Sequence, residues 1–133
     1  MKKYENVKID IVVPPYSGHL YPILELIKIL LKEEKYDICI YTGAQRKMFL
    51  KNMGIKCKVV LEDRPTFFED VANTAEKTNA FVSYSQFKKN LKVIPDIVKE
   101  LELGFKERNP DIIVADFVAV PAGVIAKKMG IPW

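Results

Sequence analysis

Apolar positions along the chain recur every second residue in some stretches and every third or fourth in others, and the two periods take turns. Val7-Lys8-Ile9-Asp10-Ile11-Val12-Val13 is β-branched and stops at Pro14-Pro15, which predicts a first strand. Leu20, Ile23, Leu24, Ile27, Leu30 and Leu31 then recur three and four apart, with Glu25, Lys28, Lys32 and Glu33 on the other face. That spacing predicts an amphipathic helix, with Pro22 in its first turn, where a missing N–H costs little. Tyr36 to Thr42 reads as a second strand ended by Gly43, and residues 44 to 53 as a short helix stopped by Gly54. Lys56 to Leu61 reads as a third strand. From Glu62 to about Ser83 the pattern is irregular and predicts a loop with short helical pieces. Tyr84 to about Arg108 predicts a long helix, bent near Pro95. Ile112-Ile113-Val114-Ala115 is wholly apolar and predicts a short strand buried on both faces. Pro121 to Met129 predicts a last helix, stopped by Gly130.

Strands that alternate with helices in this way predict the α/β class: a Rossmann-like parallel sheet with helices on both faces. Right-handed crossovers then favour the strand order 3-2-1-4. Residues 1–133 form one domain. Because a fifth strand is due at about Ile131-Pro132-Trp133, the domain is expected to be incomplete. Strand four's outer edge would then be uncovered, which predicts self-association or a partner at that edge.

Composition narrows the class only a little. The 133 residues suffice for one domain with a core but not for two. The 21 basic and 17 acidic side chains give a net charge of +4, carried mainly by scattered lysines, so no nucleic-acid partner is expected. Apolar runs are too short to cross a bilayer, and residues 1 to 6 lack the features of a signal peptide, which predicts a cytoplasmic protein. Cys39 and Cys57 lie in separate apolar runs without a CxxC spacing, and the chain has one histidine, so the cysteines read as core thiols and no metal site is expected.

That histidine, His19, lies between the first strand and the first helix, in Pro14-Pro15-Tyr16-Ser17-Gly18-His19-Leu20-Tyr21-Pro22. In the predicted order, strands one and four are neighbours whose connections leave in opposite directions, and ligands bind outside the carboxyl ends of such strands. Asp116 follows strand four. The topology therefore brings His19 and Asp116 to one crevice. The first turn of a helix disfavours imidazolium, and a neutral imidazole can accept a proton. A carboxylate on its other nitrogen would fix the tautomer and stabilise the charged form. Such a pair can deprotonate a hydroxyl. A histidine before a helix also serves in packing, and an aspartate also caps helices; position alone leaves these readings open. The turn has a single glycine and strand two ends in Thr42-Gly43, which argues against a dinucleotide site. Neither a P-loop nor a GxSxG elbow is present.

Two segments carry a resemblance. Pro15-Tyr16-Ser17-Gly18-His19-Leu20-Tyr21-Pro22-Ile23-Leu24-Glu25-Leu26 resembles the "GHxxPxLxLAxxL" opening of UDP-sugar-dependent glycosyltransferases of the GT-B fold, with the macrolide and natural-product enzymes as the nearest group. Pro110-Asp111-Ile112-Ile113-Val114-Ala115-Asp116, followed by Ala126-Lys127-Lys128-Met129-Gly130-Ile131-Pro132, resembles that family's "PDLVVxD…AxxLGIP". The resemblance implies an inverting transferase in which His19 is the catalytic general base and Asp116 orients and charge-balances it. It implies no metal and no cofactor, the UDP-sugar being a donor substrate. This chain would be the first part of the N-terminal, acceptor-side domain, with the C-terminal donor-binding domain absent and the 133 residues inactive alone.

On that reading, Ser17, Gly18, Phe67, Phe81 and Phe87 are the candidate acceptor-binding residues. Phe67, Phe68, Phe81, Tyr84 and Phe87 are the aromatics from which an apolar wall for a natural-product-like small molecule could be drawn, with ordinary core packing as the alternative. Lys88, Lys89 and Lys92 beside Phe87 and Leu91 read first as a solvated helix face, with contact to an anionic membrane as the weaker alternative. The other functional readings are a non-catalytic Rossmann-like binding module, or one subunit of a split glycosyltransferase. The sequence names neither acceptor nor sugar.

Overall fold

A computed structural model describes residues 6–76 and 79–133. The N-terminal residues 1–5 lie outside the described residues. The strands are β1 (Val7–Val12), β2 (Tyr36–Thr42), β3 (Lys56–Val59) and β4 (Ile112–Ala115), and the helices are α1 (Ser17–Leu30), α2 (Lys47–Asn52), α3 (Phe67–Ala75), α4 (Ala80–Arg108) and α5 (Val120–Met129). The strands pair in parallel in the order β3-β2-β1-β4, as the alternating pattern predicts. The chain has the α/β, Rossmann-like architecture.

The period of two along β1 sorts its side chains between two cores. Ile9, Ile11 and Val13 face one side, where they meet Leu20, Leu24 and Ile27 of α1 and Leu50 of α2. Val12 faces the other, with Tyr41 of β2, Leu101 and Phe105 of α4, and Ala122, Ile125 and Ala126 of α5. The buried α1 residues stand four and three apart, so one stripe of the helix lies on the sheet. Burying each Leu or Ile there contributes about 1.5–3 kcal/mol.

Asp10 breaks the apolar run of β1 and is fully buried on the α4 side. Its carboxylate accepts from the Tyr41 hydroxyl at 2.9 Å and from Arg108 Nε at 2.6 Å, so both oxygens are satisfied. Arg108, the last residue of α4, also donates to the Asp37 backbone carbonyl at 3.2 Å. This cluster pins the end of the long helix to the sheet. Gly104 makes that approach possible, since a Cβ built there would stand 2.6 Å from Tyr41 Cε1. Cys39 is buried in the same core, and burial pushes its thiol up to about 11. Both cysteines are free.

Several elements differ from the pattern's prediction. Helix α1 begins at Ser17, which moves Pro22 from the first turn to the sixth helical residue. Pro22 cannot donate to the Gly18 carbonyl, but both residues are exposed and water can serve instead. Strand β3 ends at Val59 rather than Leu61, because Leu61 takes φ 57 and its N–H donates to Glu100 of α4 at 2.8 Å. Helix α4 begins at Ala80, four residues early, where Asn79 Oδ1 accepts from the N–H of Phe81 at 2.9 Å and of Val82 at 3.4 Å. The helix then continues across Pro95. Strand β4 is not buried on both faces: Ile112 is 39% exposed, and Val114 and Ala115 are half-buried. It is the last strand in the order, flanked on its outer side by residues 131–133. There Ile113 N–H donates to Pro132 O at 2.9 Å, and the Trp133 ring lies against Gly123, so the outer edge is partly occupied by the chain itself. No described helix is long and apolar enough to cross a membrane.

Candidate active site

Strand β1 delivers the chain to Pro14-Pro15-Tyr16 at the carboxyl end of the sheet. Tyr16 is the N-cap of α1, with extended backbone angles, and its carbonyl accepts from the N–H of His19 at 3.0 Å and of Leu20 at 2.9 Å. His19 is therefore the third residue of the helix and not part of a loose turn. Asp116 arrives from the neighbouring strand. Its N–H donates to Val12 O at 2.9 Å, extending the β1–β4 pairing by one step. Its carboxylate folds back to accept from Val118 N–H at 3.0 Å, which fixes its rotamer.

The two side chains meet. His19 Nδ1 lies 3.0 Å from Asp116 Oδ2 and 3.1 Å from Oδ1, across 97 residues of sequence. The side chains are 26% and 15% exposed, so the pair is shielded without being sealed. With the Nδ1 proton donated to the carboxylate, Nε2 carries the lone pair. The Phe117 ring stands 5.3 Å from the imidazole, centroid to centroid, and Tyr16 stands edge-on at 6.3 Å.

Two cavities open here. One of about 280 Å³ is lined by His19, Asp116, Pro22, Ile23 and Leu26 together with Val12 and Val13. The larger, about 440 Å³, is almost wholly apolar and lies between the strand ends, α3, α4 and the start of α5. Tyr16, Tyr41, Phe67, Phe68, Ile94 and Leu101 are among its walls. The larger space does not contain the His–Asp pair, but Val12 and Val13 line both, so the two are neighbours divided by the end of β1.

The other sequence candidates divide. Phe67 lines the large cavity. Ser17 and Gly18 are exposed in the first turn of α1 and line neither cavity; the Ser17 hydroxyl accepts from Arg46 Nη2 at 2.8 Å, and the space beside Gly18 is open. Phe81 and Phe87 also line neither and are 86% and 56% exposed, contrary to the expectation of an acceptor wall there. The reason is the length of α4. Its first buried residue is Val93, and its cavity-facing residues are Asn90, Ile94, Ile97 and Leu101, so Phe81 and Phe87 stand on the part that has run past the cavity.

Sequence reasoning missed Tyr16, Arg46 and Phe117. The Tyr16 hydroxyl donates to Phe68 O of α3 at 3.0 Å, and burial raises its pKa, which keeps it protonated as a donor. Arg46 Nε donates to Pro15 O at 2.7 Å, bracing the turn from the β2 side. The signal for Phe117 was its position beside Asp116; the partners of Tyr16 and Arg46, 52 and 31 residues away, leave no local trace. Among the described residues no three His, Cys, Asp or Glu side chains group closely enough to hold a metal ion.

No protein-family model matches the chain. The chain is similar to the NDP-glycosyltransferase YjiC of Bacillus subtilis (strain 168), with 27% identity over 132 residues. That match covers 99% of this chain and 31% of YjiC, so the chain spans under a third of the relative's length. The solved structure of the glycotransferase of kitacinnamycin superposes with a TM-score of 0.71 at 23% identity, covering 96% of this chain and 29% of that one. The calicheamicin glycosyltransferase CalG4 superposes with a TM-score of 0.71 at 19% identity, covering 96% and 31%. The fold is that of a segment of GT-B glycosyltransferases, and the sequence resemblance to such enzymes is borne out.

Proposed function

We propose that the chain forms the acceptor side of an inverting glycosyltransferase, which moves a sugar from a nucleoside diphosphate donor to a hydroxyl of an apolar, ring-bearing small molecule. The observation that carries this reading is the His19–Asp116 pair at 3.0 Å, set beside an apolar cavity of about 440 Å³. The similarity to YjiC and the fold of the solved glycosyltransferases support it.

His19 acts as general base. Nδ1–H donates to Asp116, which holds the neutral tautomer with the Nε2 lone pair facing the acceptor hydroxyl. Nε2 takes the hydroxyl proton as the oxygen attacks the anomeric carbon. The bond from that carbon to the diphosphate oxygen breaks, and its electron pair leaves with the nucleoside diphosphate. A single displacement from the opposite face inverts the anomeric configuration. Asp116 stabilises the imidazolium as it forms. The low polarity of the neighbouring cavity selects acceptors whose bulk is apolar and strengthens the ion pair at the moment of transfer.

The test uses the natural full-length protein with a UDP-sugar and a phenolic acceptor. His19→Ala lowers turnover by roughly 10²–10⁴-fold with the fold intact. Asp116→Asn also lowers turnover while leaving acceptor binding in place. Parental turnover in a folded His19→Ala protein would refute the proposal.

A further inference from the structure

We propose that Tyr16 is a positioning residue that ties the roof of the apolar cavity to the turn carrying His19, and thereby limits the acceptor to a compact ring system; the acceptor role rests on the reaction proposed above.

Tyr16 works from both ends. Its backbone carbonyl takes the N–H of His19 and of Leu20, which sets the start of α1 and the backbone that carries His19. Its hydroxyl, on the opposite side of the residue, donates to the carbonyl of Phe68 at 3.0 Å. Phe68 belongs to the first turn of α3, and Tyr16, Phe67 and Phe68 all line the cavity. The Phe68 carbonyl is also the acceptor for Ala72 N–H in the helical ladder, so α3 does not need Tyr16 in order to be a helix. What the hydroxyl adds is a link between two segments 52 residues apart.

That link has few rivals. Helix α3 has no buried residue. Among the described residues its other side-chain hydrogen bond to a different element is Thr74 Oγ1 to Gln86 Oε1, and that one is long at 3.4 Å. The remaining support is apolar, from Phe67 and Phe68 leaning on the core and on each other at 5.3 Å. A roof held so lightly changes height readily, and one phenol hydroxyl connects it to the base. Releasing it frees that wall of the cavity without touching the His19–Asp116 bond.

Tyr16→Phe in the full-length protein separates this role from others, because it keeps the ring and removes the hydroxyl. The probes are 2-naphthol as a compact acceptor and 1-hydroxypyrene as a broad one, with UDP-glucose as donor. The variant accelerates amide exchange over α3 about fivefold, the loss of one hydrogen bond read as local opening. It raises KM for 2-naphthol about tenfold with kcat within about twofold of the parent, and leaves KM for 1-hydroxypyrene unchanged or lower. The pH profile of kcat stays where it was. Unchanged exchange over α3, an equal change for both probes, a loss confined to kcat, or collapse of the whole fold would each overturn the assignment. A parent protein that transfers to neither probe counts against the reaction itself. A parent that transfers to 2-naphthol, beside a Tyr16→Phe variant indistinguishable from it, overturns only the role of Tyr16.

Discussion

At the scale of single residues, the structure buries a charged group where an apolar pattern expects none. Asp10 is fully buried, with Tyr41 and Arg108 on its two oxygens. Removing one partner of such a cluster leaves a stranded charge. Gly104 is the gap that lets the cluster close, because the Tyr41 ring fills the place a side chain would take. Tyr41 cannot swing away: its hydroxyl is bonded to Asp10 and its ring lies edge-on to Phe105 at 5.3 Å. Gly104→Ala is therefore expected to destabilise the fold by about 1–3 kcal/mol, read as a lower midpoint in urea. His19 and Asp116 were legible from sequence, because strand order alone brings the ends of β1 and β4 together. The Asp10 cluster was not, since its contacts join residues 31 and 98 apart and only the break in the β1 run hinted at it.

At the scale of elements, the strand order and every helix that packs on the sheet followed from periodicity. The misreadings fall at ends and edges, where local propensity competes with something distant. The apolar run reads as strand through Leu61, yet Glu100 captures the Leu61 N–H and the chain turns there. Helix α4 starts four residues before its pattern does, because Asn79 in the irregular stretch caps it. Of the aromatics proposed for an acceptor wall, Phe67 and Phe68 line the large cavity while Phe81 and Phe87 do not, because α4 carries its buried residues only from Val93 onward. The same fact predicts uneven protection along that helix. Amides of residues 82–92 are expected to exchange with solvent at least tenfold faster than those of 97–105, measured by hydrogen exchange under native conditions. Equal protection along α4 would mean that its first half is packed against something.

At the scale of the whole molecule, stability depends on pH through ion pairs that join elements. Lys56 donates to Asp37 at 2.6 Å, and Arg108 adds its charge, so the Asp37 carboxyl is held below its ordinary value of 3.8 chiefly by the Lys56 hydrogen bond. A carboxyl lowered in the folded state contributes stability that is fully present above 3.8 and lost as the pH falls through the folded value. The urea midpoint of the parent should therefore drop more steeply below pH 4 than that of Asp37→Asn, and a parallel decline would exclude Asp37 as a contributor. The partition between the two cavities has a consequence for chemistry on the same scale. Since Val12 and Val13 stand on both sides of it, their bulk gauges how far a lodged molecule can reach toward the imidazole. Under the transfer proposed above, the choice among several alcohols of one acceptor would be made by aliphatic girth at a strand tip, and trimming Val13 would redirect the sugar to a different oxygen rather than slow its delivery.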